Sequence, residues 1–362
     1  MNPIVIFMLL FAAIGFIDRT FDLKLGTAEH FMTGFSMIPT MLISSVGVSS
    51  IGVMLIRNHL IAIQKALSSL PFNSGVILGA ILAPDLGGLP ICSQLSDQPG
   101  IILMNGVILS SILGQTVSFQ IPVFLASLKK DYHDRIIRGF IMGIAMVPAG
   151  FLMAGLIAIL MTGLSAKDFF REFIPVFLFC GFLMLGLIKK TELTVKIVHR
   201  AALLVQWVIF AMFFFTMLGV FFPRFAFVDA SFAAENAFSI VKSCTIAGGA
   251  LVLSDLVLKF FPGPIRWLSA KLGVNESSVL GLLLGMANSL AFLPIFHKMD
   301  DKGKIMNCAF SVSGAYLIGG QLGYISSLTD SRSVTVYLLA KAVCGILSVV
   351  LVSRISVNDP AS

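Results

Sequence analysis

The chain has 362 residues, of which 57 % are hydrophobic and only 12 % charged. A soluble domain carries about 25 % charged residues, so the polar coat of a soluble globule of this length is missing. The net charge of +7 does not point to nucleic acid, because the lysines and arginines sit in short connectors between apolar stretches and form no basic run with interleaved aromatics.

Residues 3–17 are apolar, but Asp18 and Arg19 follow and no small-residue cleavage site is evident, so they read as a first span and not as a cleavable signal. Apolar blocks follow near 31–56, 73–96, 100–128, 139–163, 173–188, 201–222, 237–260, 277–296, 303–328 and 333–353. A bilayer core needs about 20 helical residues, and the roughly eleven blocks predict an all-α polytopic integral membrane protein with about 10–12 transmembrane helices. So many spans point to a transporter, a channel or a membrane-bound enzyme. No HExxH, Walker A or GxSxG motif is present, no cofactor pattern is seen, and no histidine clusters with acids inside a block, so enzyme chemistry has little support. Cys92, Cys180, Cys244, Cys308 and Cys344 are scattered, with no CxxC, and read as packing residues.

The basic connectors set an orientation. If every block crosses once, Arg57, His59 and Lys65, then Lys129 to Arg138, Lys189 to Arg200, and Lys259, Arg266 and Lys271 all fall on one face, which is the cytoplasm. His297–Lys304 is the exception, and it is explained if the ninth block re-enters. Trp207 and Trp267 near block ends read as interface aromatics.

The chain also repeats itself. The third block contains Leu86-Gly87-Gly88-Leu89-Pro90-Ile91 and the ninth Leu290-Ala291-Phe292-Leu293-Pro294-Ile295. Aspartate follows each, at Asp97 and at Asp300 and Asp301, and each leads to a Gly-Gln pair, Gly114-Gln115 and Gly320-Gln321. This predicts one transport domain of two repeated halves, 1–163 and 201–362, joined by a span and linker over 164–200. Duplicated halves with interrupted helices point to a transporter site at the breaks.

Asp85 is the sharpest feature at those breaks. It follows Pro84 and precedes Gly87 and Gly88, so it sits in broken backbone at membrane depth. A carboxylate there costs at least about 2.5–3.5 kcal/mol unless it is paired or solvated. It is expected to face an aqueous cavity and attract a cation or proton; capping of the second half-helix is the structural alternative. Asn288 and Ser289 hold the matching place in the second half. Gln115, Thr116, Ser118 and Gln120 form a polar run, with Gln321 and Tyr324 as counterparts. Phe119 and Tyr324 offer ring faces to a cation, although packing is the commoner use. Lys242, Asp255 and Lys341 read as side chains that snorkel to an interface. Ser44, Ser45, Gly47, Ser49 and Ser50 read as a close-packing face.

At 297–313 the chain reads His-Lys-Met-Asp-Asp-Lys-Gly-Lys-Ile-Met-Asn-Cys-Ala-Phe-Ser-Val-Ser. This resembles the ethanolamine permease (EutH) family pattern Asp-x-x-Gly-Lys-Val/Ile-x-Asn-Cys-Ala-Phe-x-Val-Ser. Asp18-Arg19, Glu29 with Phe31-Met32, Asp85 with Gly87-Gly88, and Thr116 with Phe119, Ile121-Pro122 and Val123 agree with the same family. Departures fall at Pro84, where the family has cysteine, at Ser289-Leu290-Ala291, where it has Asn-Ile-Pro, and at Gly320-Gln321, where it has Asp-His.

The resemblance implies uptake of protonated ethanolamine or a closely related amine across a bacterial cytoplasmic membrane, with no cofactor. Asp85 would pair with the ammonium, and Asn288, Ser289, Gln115 or Gln321 would bond the hydroxyl. The remaining readings are a sodium- or proton-coupled carrier of another small polar solute, a channel, and a membrane scaffold. The partners expected are the substrate and the bilayer; a homodimer is compatible with such a chain.

Overall fold

A computed structural model describes residues 3–260, 262–318 and 320–355, without the side chains of 3–5, 44, 45, 250, 254, 257–259 and 320. Gly319 and the side chains of Ser44 and Ser45 thus lie outside the described residues. Apolar segments that cannot pair their backbone with water must pair it internally. Accordingly, every regular element among the described residues is helical.

Six helices among these residues are long and apolar enough to cross a bilayer, and the bent pair Ala28–Ile43 with Val48–Asn58 makes a seventh candidate. The six are Pro99–Ser127, Lys130–Thr162, Ala166–Lys189, Thr191–Phe221, Ala230–Leu253 and Ser331–Ser353. The protein is therefore all-α and polytopic. Unbroken spans are fewer than apolar blocks because the second block is bent, the tenth is divided between helices Asp301–Ser313 and Gly320–Leu328, and the third and ninth fold back on themselves.

The third block forms a first hairpin. Helix Gly75–Ile81 ends where Pro84 forces Ala83 into extended backbone, at φ −63° and ψ 153°. A 3-10 turn at Pro84–Leu86 follows, and helix Gly88–Leu95 returns. Gly87 turns the chain with φ +100°, a conformation that side chains resist, and a Cβ at Gly88 would strike the carbonyl oxygens of Leu82 and Ala83. The Asn73 side-chain amide donates to Leu95 O at 3.1 Å, so both limbs end on one face.

The ninth block forms a second hairpin from helix Glu276–Ala287 and the 3-10 segment Ser289–Lys298. Its base is closed in the same way, with the Asn275 amide donating to Lys298 O at 2.8 Å. At 1.5 Å per residue the Glu276–Ala287 helix rises about 18 Å, roughly half of a 30 Å core and too short to cross it.

The hairpins enter from opposite faces. Helix Lys130–Thr162 crosses between them. Near its start, Arg135 bonds Asp301, just beyond the second hairpin, at 2.7 Å. At its other end, Thr162 and the following Leu164 pack on Gly100, just beyond the first hairpin. His199 lies 3.2 Å from His133, which puts the basic 189–200 linker on the face of the second hairpin. That face also carries Lys298, Lys302 and Lys304, and is the cytoplasmic one.

Re-entry corrects one expectation. Asn236 lies near the start of helix Ala230–Phe260, on the opposite face, and its amide reaches Ser50 Oγ at 3.3 Å. Arg57, His59 and Lys65 continue from there, so they do not share the cytoplasmic face. Because the third block turns back without crossing, only one crossing separates them from Lys129. The same parity argument brings His297–Lys304 to the basic face.

Candidate functional site

The two hairpin tips meet at a cavity of about 520 Å3. Asp85, Gln115, Phe119, Asn288, Gln321 and Tyr324 all line it. Ser289 does not: it is fully buried behind the wall, with its hydroxyl 3.2 Å from that of Tyr316. The 3-10 turn directs Ser289 at Tyr316, so it stands behind the wall and not in it.

Each tip is supported by the central span Pro99–Ser127, whose Leu103–Gly114 stretch is π-helical and buried throughout. Wide π turns recur at functional sites. Gly114 admits the carbonyl oxygens of Gly79 and Leu82, and Ser118 Oγ accepts from Ala83 N at 3.1 Å. The Asp85 side chain is left exposed to the cavity while Ala83, Pro84, Gly87 and Gly88 around it are buried. No basic group lies within ion-pair distance of it among the described residues, and Lys341 acts on it only through space. Asp85 does not cap the returning half-helix, since Gly87 holds that position.

Asn288 does cap its returning limb: its Oδ1 accepts from Leu290 N at 2.9 Å. Its amide nitrogen is what remains for a ligand. Gln115 is 3 % exposed, and its buried Oε1 has no hydrogen-bond partner among the described residues, so a small rotation of the amide would offer it as an acceptor. Gln321 Oε1 accepts from Lys341 Nζ at 2.9 Å. Half-helices Gly75–Ile81 and Glu276–Ala287 both end at the tips, so their C-terminal dipole ends add negative potential there.

One side of the cavity is sealed. Phe292 and Phe296, on the limb of the second hairpin that returns to the basic face, pack with Phe124 and Phe140; all four are fully buried. Ring centroids are 5.2 Å apart for Phe124–Phe140 and 5.5 Å for Phe124–Phe292. The other side is more open, with Phe232, Glu235 and Ser239 exposed along its wall. Access thus runs from the face opposite the cytoplasmic one.

Three wall residues were not singled out from the sequence. Tyr316 lines the cavity with φ +57°, which is unusual for a side-chain-bearing residue. Arg57 and Glu235 place one charge of each sign on the outer wall. Lys341 corrects another expectation: it does not snorkel but is fully buried, donating to Ser111 O at 2.8 Å as well as to Gln321. Lys242 is exposed, with its ammonium 4.9 Å from the Phe238 ring, and Asp255 lies 3.5 Å from His30, both away from the cavity wall.

Fold and cavity define a multi-pass membrane protein with a polar pocket at the meeting point of two half-membrane hairpins. The chain belongs to the family described as Ethanolamine utilisation protein, EutH, which matches residues 1–355. It is 28 % identical to the Probable ethanolamine permease EutH of Listeria monocytogenes, over 96 % of this chain and 92 % of that one. It is 24 % identical to the protein of the same name from Salmonella typhimurium, over 93 % and 87 %. It is 26 % identical to the Uncharacterized protein YxeR of Bacillus subtilis, over 90 % and 88 %. No solved structure matches the chain. The family and the apolar helices make this a multi-pass bacterial membrane protein of the inner membrane.

Proposed function

We propose that the protein takes up protonated ethanolamine, or a closely related small amine, by alternating access around the two hairpin tips. The observation that carries this reading is Asp85: a carboxylate exposed to the cavity between the hairpin tips, with no basic side chain in contact with it among the described residues. A carboxylate at membrane depth is costly unless it is paired or solvated, and a cationic ligand in the cavity would pair it. The ammonium binds Asp85, with Gln115 Oε1 and the carbonyl ends of the half-helices as further acceptors. The hydroxyl oxygen accepts from the amides of Asn288 and Gln321. The names of the relatives support the substrate class.

The halves act as an inverted duplication. A single shift in numbering carries Asn73, Gly79 and Asn105 onto Asn275, Gly281 and Asn307. In both hairpins the asparagine backbone N–H donates to a carboxylate, Glu172 at 2.9 Å and Asp300 at 2.7 Å. Equivalent hairpins from opposite faces can exchange roles, so that the phenylalanine seal opens as the outer cavity closes. Neither a sodium ion nor a proton is required: 100 mV, inside negative, favours entry of one positive charge by about 2.3 kcal/mol.

Counterflow tests this reading. Liposomes loaded with unlabelled ethanolamine should transiently accumulate labelled ethanolamine above equilibrium, and Asp85→Asn should reduce the overshoot at loading concentrations that saturate the wild type. Flux without counterflow would make the protein a channel. No flux of any amine through a folded preparation would remove the reading.

A further inference from the structure

We propose that Lys341 is a positioning residue for recognition at this site: it holds the Gln321 amide with its oxygen turned from the ligand, so that the pocket offers an N–H donor and selects amines whose second end accepts a hydrogen bond. The proposal rests on the amine-uptake reading above and specifies which end-group chemistry it favours.

Lys341 projects from helix Ser331–Ser353 and is fully buried. Its Nζ donates to Ser111 O at 2.8 Å and to Gln321 Oε1 at 2.9 Å, and it lies 5.2 Å from the Tyr337 ring centroid. An ammonium has donors and no acceptor, so it can face only the oxygen of a glutamine amide. The other neighbour, Tyr337, does not fix the amide. Its hydroxyl donates its one hydrogen to Tyr316 O at 2.8 Å and stands 3.2 Å from Gln321 Oε1, a contact it then has no hydrogen to fill.

Without Lys341 the better arrangement is the flipped amide. Its nitrogen then donates to the Tyr337 oxygen and its oxygen turns to the cavity. A donor toward the ligand becomes an acceptor. The residue thus sets the polarity of one wall of the pocket without touching the ligand. The family pattern has histidine at the position of Gln321, a ring that cannot reverse donor and acceptor by an amide flip.

The probe is the ratio of two competitors for labelled ethanolamine uptake in proteoliposomes. Unlabelled ethanolamine carries a hydroxyl that both accepts and donates, whereas the ether oxygen of 2-methoxyethylamine only accepts. Both are monocations, so loss of the Lys341 charge acts on them alike and the ratio isolates the amide. Lys341→Met should raise the half-inhibitory concentration of the ether relative to ethanolamine by about tenfold, the scale of one hydrogen bond replaced by an acceptor–acceptor contact. Lys341→Arg, still a pure donor, should keep the wild-type ratio. Gln321→Glu keeps a partner for Lys341 but offers only acceptors, and should shift the ratio as Lys341→Met does; it carries the test where Lys341→Met does not fold. An unchanged ratio in the folded Met or Glu variant overturns the proposal. So does failure of the ether to compete in the wild type, whose 520 Å3 cavity has room for the extra methyl. Absence of wild-type ethanolamine uptake strikes the functional reading instead, which separates the two failures.

Discussion

Removing the charge of Asp85 is the perturbation whose size follows most directly from the structure. Two unit charges about 4 Å apart attract by about 4 kcal/mol at an effective dielectric of 20 and about 1 kcal/mol in bulk water. The carboxylate faces the cavity yet stands on buried backbone, so an intermediate value of about 2 kcal/mol is appropriate, equivalent to roughly thirtyfold in affinity. Asp85→Asn should therefore raise the half-saturation concentration for ethanolamine by about thirtyfold. The fold should hold, because Asp85 makes no ion pair among the described residues and its neighbours are set by Pro84 and Gly87. Uptake by proteoliposomes gives the first quantity, and the melting temperature in detergent gives the second. Wild-type half-saturation in a folded Asp85→Asn protein would refute the pairing of the ammonium with this carboxylate.

Other changes separate ligand contact from scaffold. Asn288→Ala should weaken affinity and also cost about 1 kcal/mol of stability through the lost cap, whereas Asn288→Ser keeps a capping oxygen and should show the affinity loss with little change in melting temperature. Gly87→Ala places a Cβ at φ +100° and should destabilise the first tip by about 1–2 kcal/mol, seen as a lower melting temperature with reduced uptake. Asp301 tests the anchor of the second hairpin. Burial pushes its carboxyl up, but the hydrogen bonds from Arg135 and Lys304 outweigh this and hold it below the usual carboxylate range. A group depressed in the folded state stabilises the fold above its unfolded pKa, near 3.9, and that contribution is lost as pH falls through the folded value. Asp301→Asn should thus lower stability at neutral pH by up to about 1 kcal/mol and approach the wild type in acid, measured by melting curves across pH.

The residues legible in the sequence are those whose chemistry clashes with an apolar block. A carboxylate after proline and before two glycines, as at Asp85, or amides beside Leu-Pro-Ile, as at Asn288, are conspicuous in one dimension. Re-entry was harder to read. Blocks of this length can cross a bilayer, and the bonds that close the two hairpin bases join residues distant in sequence, Asn73 to Leu95 and Asn275 to Lys298. The faces of Arg57, His59 and Lys65 were misplaced for that reason alone. Lys341 was misread because snorkelling and burial demand the same residue in the same kind of block, and only Ser111 and Gln321, brought in from elsewhere in the chain, distinguish them. The position of Ser289 behind the cavity wall is not legible either, since backbone direction at a 3-10 turn is not encoded in its polarity. Tyr316 carried no signal beyond being a polar aromatic in an apolar stretch.

The claim that this cavity carries an amine as a cation is tested most directly by uptake of labelled ethanolamine into proteoliposomes under an imposed potential. At 100 mV, inside negative, saturable uptake should approach about fiftyfold accumulation without a sodium or proton gradient, and should collapse when the potential is removed. Uptake that is indifferent to the potential, or absent from folded protein, would contradict a carrier in which Asp85 receives a positively charged substrate.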